Sequence, residues 1–266
     1  MAQTLTLPPG DKFRLPKFDP RYDQGLKKAN VEADTRGHVD ALADLTHRLY
    51  AENHRAVLLV LQGIDTSGKD GTIRAVTHGI NPQCCQVTSF KQPSIEELDH
   101  DFLWRVHRAV PSRGNVGIFN RSHYEDVVVV RVRKLAPEEE WKSRYDKINN
   151  FERVLVDSGT RIVKIFLHIS KDEQRERLQA RLADPTKRWK FSKNDLEERK
   201  LWDEYQQAFE DALTRCNTEW APWHVVPADR KWYRNLTVAR LLREALEEMN
   251  PRFPDPEPGL DNVVVE

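Results

Sequence analysis

Residues 57–72 read VLLVLQGIDTSGKDGT, and this stretch decides the fold. Its apolar half, 57–61, predicts a buried strand, and a helical pattern begins at Lys69. Between the two, Gly63 and Gly68 allow a tight turn in which successive backbone N–H groups point at one anion. The first turn of the helix adds further N–H groups, and Lys69 adds a positive charge. The stretch therefore predicts a phosphate-binding loop.

The loop departs from the usual pattern at two acidic positions. Asp70 stands where a Ser or Thr normally follows the lysine, and Asp65 lies inside the loop itself. A carboxylate there repels phosphate unless a cation lies between the two groups. We therefore expect Asp65, with Asp70 as a second candidate, to hold Mg²⁺ against the bound phosphates. The alternative is a glycine-rich turn with solvated acids.

Length, charge and cysteine content narrow the class of protein. The 266 residues suffice for one α/β domain with extensions, and 42 Lys and Arg balance 42 Asp and Glu. With a net charge of zero, the protein as a whole has no long-range electrostatic attraction for nucleic acid. The three cysteines show neither metal-site nor disulfide spacing, which indicates a reducing compartment. Without a signal sequence or an apolar run of about 20 residues, the protein is expected to be cytoplasmic and away from membranes.

Strand-like and helix-like segments alternate along the chain. The predicted strands are 57–61, 83–90, 116–119, 161–169 and 221–227. The predicted helices are 31–52, 69–77, 95–106, 123–132, 137–156, 171–183, 193–213 and 232–249. Such alternation is typical of a parallel sheet covered on both faces. With a phosphate loop after the first strand, we predict an α/β fold, a three-layer P-loop kinase-like sandwich with a five-stranded parallel sheet.

Proline-rich ends flank this predicted domain. Residues 1–30 are expected to form an extended arm that lies on the domain or on a partner subunit. Residues 31–250 form the single P-loop kinase-like domain, and 251–266 form a C-terminal tail. Two helices inside the domain should begin with capping boxes, because Ser94 and Ser170 each precede a glutamate by three residues.

A second group of polar residues follows the third predicted strand. P-loop enzymes usually place an acid at this strand end to support the metal, but here the residue is Asn120. Glu125 or Asp126 could supply the missing charge one turn into the helix. Arg121 is placed to grip a phosphate beside the lysine of the loop, and Lys91, after the second strand, is a further candidate. The alternative is a helix start with exposed charges.

A basic segment after the fourth predicted strand indicates a helical lid over residues 175–205. Its cations are Arg175, Arg177, Arg181, Lys187, Arg188 and Lys190. In nucleoside monophosphate kinases a helix–loop–helix at this point closes over the phosphates and supplies arginines, which stabilise charge in a water-excluded site. Trp189 favours the lid, because its ring could stack on a ligand. The alternative is a solvated helical face.

Five motifs together resemble the polyphosphate kinase 2 family, over about residues 15–255. They are GIDTSGKDGT, SFKQPSIEELDHDFLWRVH, GIFNRSHYEDVVVVRV, DPTKRWKFSKNDLEER and APWHVVPADRKWYRN. The resemblance implies a thymidylate kinase-like fold and reversible transfer of the terminal phosphate of inorganic polyphosphate to a nucleotide, with Mg²⁺ or Mn²⁺. Many members have Asp where this chain has Asn120, and the difference resembles the class III subgroup that accepts both AMP and ADP. Guanine nucleotides are further candidate acceptors.

The resemblance also implies roles for individual residues and a homo-oligomer, either a dimer or a tetramer. The implied catalytic residues are Asp65, Lys69, Arg121 and Arg181. The implied phosphate- or nucleotide-binding residues are Gly63, Ser67, Gly68, Lys69, Asp70, Lys91, Asn120, Arg121 and Glu125. The implied polyphosphate-binding residues of the lid are Arg177, Arg181, Lys187, Arg188 and Lys190, and the implied metal ligands are Asp65, Asp70 and Glu125.

Transfer is expected to be direct and in-line, without a phosphohistidine, because phosphoryl transfer depends on positioning and charge neutralisation. Two alternative functions stay open from the sequence. One is an ATP-dependent nucleoside or nucleotide kinase on the same fold, and the other is a module that binds a polyanion without catalysis.

Overall fold

The computed structural model describes residues 6–260 and 263–265. Residues 1–5 of the predicted arm, and 261, 262 and 266 of the predicted tail, lie outside the described residues. None of the helices in the described part of the chain has the length and hydropathy of a bilayer-crossing segment.

Five strands form one parallel sheet at the centre of the fold. They are β1 (Ala56–Gln62), β2 (Cys85–Ser89), β3 (Val116–Asn120), β4 (Thr160–His168) and β5 (Trp223–Pro227). Their order across the sheet is β2-β3-β1-β4-β5, so β1 is the middle strand and all seven of its residues are buried. In the register of the sheet, Leu61 lies opposite Asn120 on one side and Ile165 on the other. The predicted five-stranded parallel sheet is confirmed.

Helices cover both faces of the sheet. They are α1 (Lys28–Glu52), α2 (Lys69–Val76), α3 (Ile95–Leu98), α4 (Trp104–His107), α5 (Glu125–Val132), α6 (Glu138–Asp157), α7 (Lys171–Ala183), α8 (Asn194–Lys200), α9 (Trp202–Arg215) and α10 (Lys231–Met249). Helices α1, α2 and α10 pack together, and α5 packs against α6 and α9. The three-layer sandwich is therefore confirmed.

Two predicted helices are each divided in the structure. The predicted helix 95–106 is two short helices, because the Asp101 side chain accepts the Leu103 N–H and offers the backbone a local turn instead. The predicted helix 193–213 breaks at Leu201, whose N–H bonds to the oxygen of Glu198 three residues earlier. Both breaks involve local hydrogen bonds, which the spacing of apolar residues does not predict.

The two predicted capping boxes have different outcomes. The box at Ser94 is confirmed, since Ser94 Oγ accepts the Glu97 N–H and Ser94 N donates to Glu97 Oε2. At Ser170 only half of the box forms. Ser170 N donates instead to Asp229 Oδ1 at 2.8 Å, and Glu173 pairs with Arg177. An acid from the loop before α10 therefore replaces the predicted glutamate.

The described part of the arm packs on the domain of its own chain. Phe13 and Leu15 are each 1% exposed within the core, and Leu15 N donates to Glu210 Oε1 at 2.7 Å. The described tail residues are largely exposed, although the Phe253 ring meets His47 edge-on. The arm is thus partly a core element of this fold.

Candidate functional site

The phosphate loop, residues 63–69, joins β1 to α2. Gly63 has a φ of +150°, and a Cβ there would lie 2.7 Å from both Leu167 O and Ser67 Oγ. Gly68 has a φ of +101° and is the N-cap residue of α2. Both positions require glycine, because a side chain would clash or would strain the backbone. The loop that the sequence predicts is therefore present, at the carboxyl end of the central strand.

Lys69 is the buried cation of the loop. It is 7% exposed, and its Nζ donates to the backbone oxygens of Gly63 at 2.6 Å and Ile64 at 3.4 Å. Burial, together with the nearby charge of Arg121, lowers the pKa of Lys69 to about 8. The ammonium group thus lies inside the turn, where a bound phosphate would offset both effects.

Three hydroxyl groups in and beside the loop are buried without a hydrogen-bond partner in the described structure. They belong to Thr66, Ser67 and Thr72. Thr66 also has a φ of +69°, which is uncommon for a β-branched residue. Buried polar groups in folded proteins are nearly always hydrogen-bonded. Because a phosphate oxygen can accept bonds from hydroxyls, these groups fit an anion-binding loop.

Arg121 connects the loop to the end of β3. Its guanidinium bonds to the carboxylate of Asp65 and lies 3.9 Å from Glu125 Oε2. Its backbone has a φ of +62° and is held by a bond from Arg121 N to Leu61 O at 3.1 Å. Burial alone would raise the pKa of Asp65, but the charges of Arg121 and Lys69 outweigh it and hold that pKa below its ordinary value.

Glu125 and Gln62 complete this side of the cleft. Burial raises the pKa of Glu125 above its ordinary value, although Arg121 and Lys69 oppose the shift. With its amide correctly oriented, Gln62 donates to Glu125 Oε1 at 3.0 Å and accepts from Ser122 N. Gln62, the last residue of β1, therefore links that strand to the first turn after β3.

The three acids predicted as metal ligands are not brought to one point. Asp65 and Glu125 face the same arginine, whereas Asp70 accepts a bond from Asn120 Nδ2 at 2.9 Å. Among the described residues, no three His, Cys, Asp or Glu side chains form a group ready to hold a metal ion. The oxygen chemistry still fits Mg²⁺, which typically takes one or two carboxylates and completes its shell with water and substrate phosphates. Asp65 and Glu125 are the pair that could do this.

The remaining strand-end residues lie beside the loop rather than in it. Asn120 bonds to Asp70 and, at 3.4 Å, to Ser89 Oγ. Lys190 of the lid places its Nζ 3.6 Å from Asp70 Oδ2. Lys91 is exposed beyond β2, and its backbone oxygen accepts a bond from Arg105. The structure therefore brings the lid to Asp70, whereas the Lys91 side chain forms no hydrogen bond or ion pair with the described residues.

The expectation that Arg177 grips polyphosphate does not fit its geometry. Its guanidinium donates to the backbone oxygens of Thr66 and Ser67 in the loop and of Ala228 and Asp229 before α10. Its Nε donates to Glu173, and the side chain is only 9% exposed. The backbone oxygens take the donors that a phosphate would need. Arg177 therefore holds the phosphate loop against the β5–α10 connection.

The other lid cations differ in what they face. Arg181 lies 3.9 Å from Asp195 Oδ2. Burial raises the pKa of Asp65, and the charge of Arg181 adds to the stronger effects of Arg121 and Lys69, which lower that pKa. Lys187 pairs with Asp184 beside it, and Arg188 donates to Leu182 O at 2.8 Å. Arg181 and Lys190 thus lie near acids of the loop and of α2, and Lys187, Arg188 and Lys190 are all exposed.

A cavity of about 270 Å³ lies between the loop, α5 and the lid. Its lining residues are Gly63, Ile64, Asp65, Arg121, Glu125, Val129, Gln174, Asn194, Asp195, Glu198, Tyr205 and Phe209. Tyr205 Oη donates to Glu198 Oε2 at 2.5 Å. The cavity joins the charged groups of the loop to an aromatic wall from α9, which suits a ligand with both a phosphate and a ring.

A fully buried polar network lies beneath the turn that carries Arg121. Lys164 Nζ donates to Glu152 Oε2 at 2.6 Å, to Tyr124 Oη at 2.9 Å and to Cys216 O at 2.7 Å. Glu152 Oε1 contacts His123 Nε2 at 3.2 Å, and both residues are 0% exposed. The network fixes the chain just after the site to β4 and α6.

Sequence reasoning missed three contributors to this site. Arg234 of α10 is 3% exposed, and its Nη1 donates to Ser67 O at 3.3 Å. Gln62 positions Glu125, and Glu198 meets Tyr205 in the cavity. The run DRKWYRN, which contains Arg234, contributes to the family resemblance but carries no local signal that its last arginine lies under the loop.

The fold and the loop define a class of protein. The sheet is parallel with strand order 2-3-1-4-5, and a loop with two required glycines and a buried lysine follows its central strand. This combination defines a P-loop kinase-like phosphotransferase. The family model for polyphosphate kinase 2 (PPK2) matches residues 25–254. The chain belongs to the polyphosphate kinase 2 family.

Individual relatives match nearly end to end. The chain is 50% identical over 265 residues to the AMP/ADP-polyphosphate phosphotransferase of Meiothermus ruber, covering 97% of each chain. It is 48% identical to the ADP-polyphosphate phosphotransferase of Rhodopseudomonas palustris, covering 94% of this chain and 91% of the relative. The crystal structure of polyphosphate kinase 2 from Arthrobacter aurescens superposes with a TM-score of 0.93 at 44% identity, over 97% of this chain and 93% of the other.

Proposed function

We propose that the protein transfers the terminal phosphate of inorganic polyphosphate to AMP and to ADP, giving ADP and ATP. The observation that carries this proposal is the cleft itself, in which Lys69, Asp65 and Arg121 meet at the phosphate loop of a PPK2 family member. The full-length likeness to an AMP/ADP-polyphosphate phosphotransferase supports the choice of donor and acceptors.

Lys69 and Arg121 bind the reacting phosphates in this proposal, and Arg181 approaches them from the lid. Their charges neutralise the oxygens of the transferring group, which is the main requirement of phosphoryl transfer. His123 supports direct in-line transfer, because it is 0% exposed and bonded to Glu152 and so is shielded from substrate. The phosphate therefore moves straight from the chain end to the nucleotide.

A divalent cation, Mg²⁺ or Mn²⁺, is part of the proposal. Asp65 and Glu125 would hold it, and it would supply positive charge that neutralises part of the charge of the substrate phosphates. Without it, Asp65 would repel the substrate that Lys69 attracts. The pairing of Asp65 with Arg121 supports this role, because the arginine keeps the carboxylate charged.

The cavity between the loop and α9 is proposed to hold the acceptor nucleotide. Tyr205 and Phe209 would contact the nucleoside, while Arg121 would contact its phosphate. Guanine nucleotides are further candidate acceptors, and a homo-oligomer is proposed from the family resemblance. The lid cations Arg181, Lys187, Arg188 and Lys190 would then lie along the polyphosphate chain.

The test is to supply donors and acceptors separately. Purified protein with Mg²⁺, polyphosphate and either AMP or ADP should form ATP, which a luciferase assay detects as light. Omitting polyphosphate should abolish the light, and so should omitting Mg²⁺ from the reaction and restoring it only for the luciferase step. A protein that makes no ATP from either acceptor, but phosphorylates nucleosides or monophosphates with ATP as donor, would instead be an ATP-dependent kinase.

A further inference from the structure

The outer edge of β2 has no partner strand in the described part of the chain. The strand lies at one end of the sheet and pairs only with β3. Phe90 N donates to Asn120 O at the end of β3, so by the alternation of a parallel strand Val87 directs its N–H and C=O away from the sheet. Gln86 and Val87 point to opposite faces, and both are exposed. The edge and both faces of β2 are therefore open.

The composition of β2 leaves this edge unprotected. Proteins usually block a free edge with charged residues, proline, a bulge or a covering segment, because an open edge pairs with other chains. The five residues Cys85–Ser89 include no charge and no proline, and their register with β3 is unbroken. The central residue, Val87, is apolar and 47% exposed. An edge of this kind indicates that another strand covers it.

The sequence of β2 fits a second copy of itself. An antiparallel pair centred on Val87 sets that residue opposite itself, Gln86 opposite Thr88, and Cys85 opposite Ser89 across the two copies. No charges meet, and the outward N–H and C=O of Val87 would exchange two hydrogen bonds with the same groups of the other copy. Such a pairing about a two-fold axis is isologous, which is the arrangement of most homodimers.

Helix α3 supplies the further surface that a stable interface needs. A pair of five-residue strands is small beside the roughly 800 Å² that each partner typically buries. Ile95 is 82% exposed and Leu98 is 69% exposed, and their spacing of three places them on one side of α3. Arg105 holds α3 at the carboxyl end of β2, because its Nη1 donates to Lys91 O and lies 3.6 Å from Glu97 Oε2.

Charges beyond the two ends of β2 are complementary in the antiparallel arrangement. Glu96 and Asp99 are exposed in and after α3, at the carboxyl end of the strand. Arg74 and His78 are exposed in the segment that leads to its amino end. An antiparallel pair brings the acidic end of one copy to the basic end of the other. This match favours a second copy of the chain over an unrelated extended peptide.

We propose that two copies of this chain associate through β2. The two strands pair antiparallel about a two-fold axis at Val87 and join the five-stranded sheets of both copies into one sheet of ten strands. Ile95 and Leu98 of each copy pack against the amino end of the other copy's strand. The proposal assigns a surface to the homo-oligomer, and it does not depend on which donor and acceptor the protein uses.

The test is crosslinking of purified protein at the two-fold axis. In Val87→Cys the two introduced thiols would sit on Cα atoms about 5.5 Å apart, which a disulfide can span. We expect mild oxidation to convert most of this variant into a covalent dimer on a non-reducing gel. Val154→Cys is the matched control, because that valine is 56% exposed on α6, away from the proposed interface. It should give no more covalent dimer than oxidised wild type.

Val87→Lys tests the same interface without crosslinking. Two ammonium groups would face each other across the axis, and like charges directly opposite in a strand pair are destabilising. Light scattering should then give a molar mass half that of wild type at the same concentration, while Val154→Lys keeps the wild-type mass.

Three results would overturn the proposal. They are a monomeric wild type, an unchanged mass of Val87→Lys, and a Val87→Cys variant that crosslinks no better than Val154→Cys. Crosslinking of Val87→Cys in a cell extract to a different protein, and not to itself, would show that another chain occupies the edge and would also overturn it. ATP formation from polyphosphate is measured separately on the same samples, so the proposed function can stand when this proposal fails.

Discussion

Lys69 is the residue whose surroundings bear most directly on catalysis. Its ammonium group is buried, bonds to two carbonyl oxygens of its own loop and lies close to the charge of Arg121. Two like charges in a buried cleft repel each other unless an anion lies between them. The loop thus places its lysine in surroundings that phosphate binding would stabilise.

Replacing Lys69 should lower the activity of the protein without lowering its stability. We expect Lys69→Ala to lower kcat by at least about 100-fold, because a charge that neutralises the transferring phosphate is removed. The melting temperature should stay the same or rise slightly, since a desolvated cation is also removed. Turnover from polyphosphate and a thermal melt measure the two effects. Near-normal turnover in a folded variant would refute the assigned role.

His168 makes stability depend on pH. It is 7% exposed at the end of β4, and burial lowers its pKa to about 4, against 6.5 in an unfolded chain, although Asp229 opposes the shift. Between these two values the unfolded chain binds more protons, so stability is lost as the pH falls from 6.5 towards 4. This residue can contribute up to about 3 kcal/mol of that loss.

The measurement is denaturant unfolding at several pH values, for wild type and for His168→Gln. The variant should lose less stability between pH 6.5 and pH 4.5 than wild type does, whatever its stability at neutral pH. Parallel pH profiles for the two proteins would show that His168 is not the titrating group.

Helix α7 is the element that ties the lid to the phosphate loop. Arg177 projects from it to four backbone oxygens, two in the loop and two before α10. The planar guanidinium can donate several bonds at fixed angles, which a lysine cannot reproduce. Movement of α7 would therefore be transmitted to the loop.

A conservative change at this position should impair catalysis. We expect Arg177→Lys to lower kcat/KM for polyphosphate by about 10-fold or more, because the loop loses bonds that hold it in a strained conformation. Arg175→Lys is the matched control, since that arginine is on the same helix, its side chain is 57% exposed and among the described residues it pairs only with Asp172. Equal activity of the two variants would contradict the role given to Arg177.

The buried network under the Arg121 turn links β4 and α6 to the two residues just before α5. Its ion pair between Lys164 and Glu152 is 0% exposed on both sides. Glu152→Gln should lower the free energy of unfolding by about 3–5 kcal/mol, because it leaves a buried ammonium without its counter-charge. Urea unfolding measures the loss. A change below about 1 kcal/mol would mean that the neighbouring Tyr124 and Cys216 groups suffice for Lys164.

Periodicity and loop chemistry explain why the elements could be predicted. Apolar runs long enough for buried strands predicted β1, β3, β4 and β5, whereas the edge strand β2 has no such run and none of its residues is buried. The spacing of Gly63, Gly68 and Lys69 located the loop. The cap at Ser170 was predicted, but the bond from Ser170 N to Asp229 and the role of Arg177 could not be, because both depend on Asp229 and its neighbours, more than 50 residues away in the chain. Contacts of that kind arise only when the sheet brings distant loops to one edge.

At the scale of the whole molecule, the parallel sheet brings the residues of the site together. Every strand of the sheet ends at the same edge, so the loop after β1, the turn after β3 and the connection after β5 meet there. This is the edge at which open α/β sheets bind ligands. Zero net charge overall is compatible with a polyanionic donor, because Lys69, Arg121 and Arg181 lie together near Asp65 at this edge.

Direct transfer between two substrates at this edge is the central claim. The most direct measurement uses polyphosphate with radioactive phosphate, unlabelled AMP and Mg²⁺, followed by separation of nucleotides from protein. We predict that label appears in the β-phosphate of ADP and then in ATP, with none retained covalently on the protein. Label that accumulates on the protein before it reaches nucleotide, or never reaches nucleotide, would contradict the account.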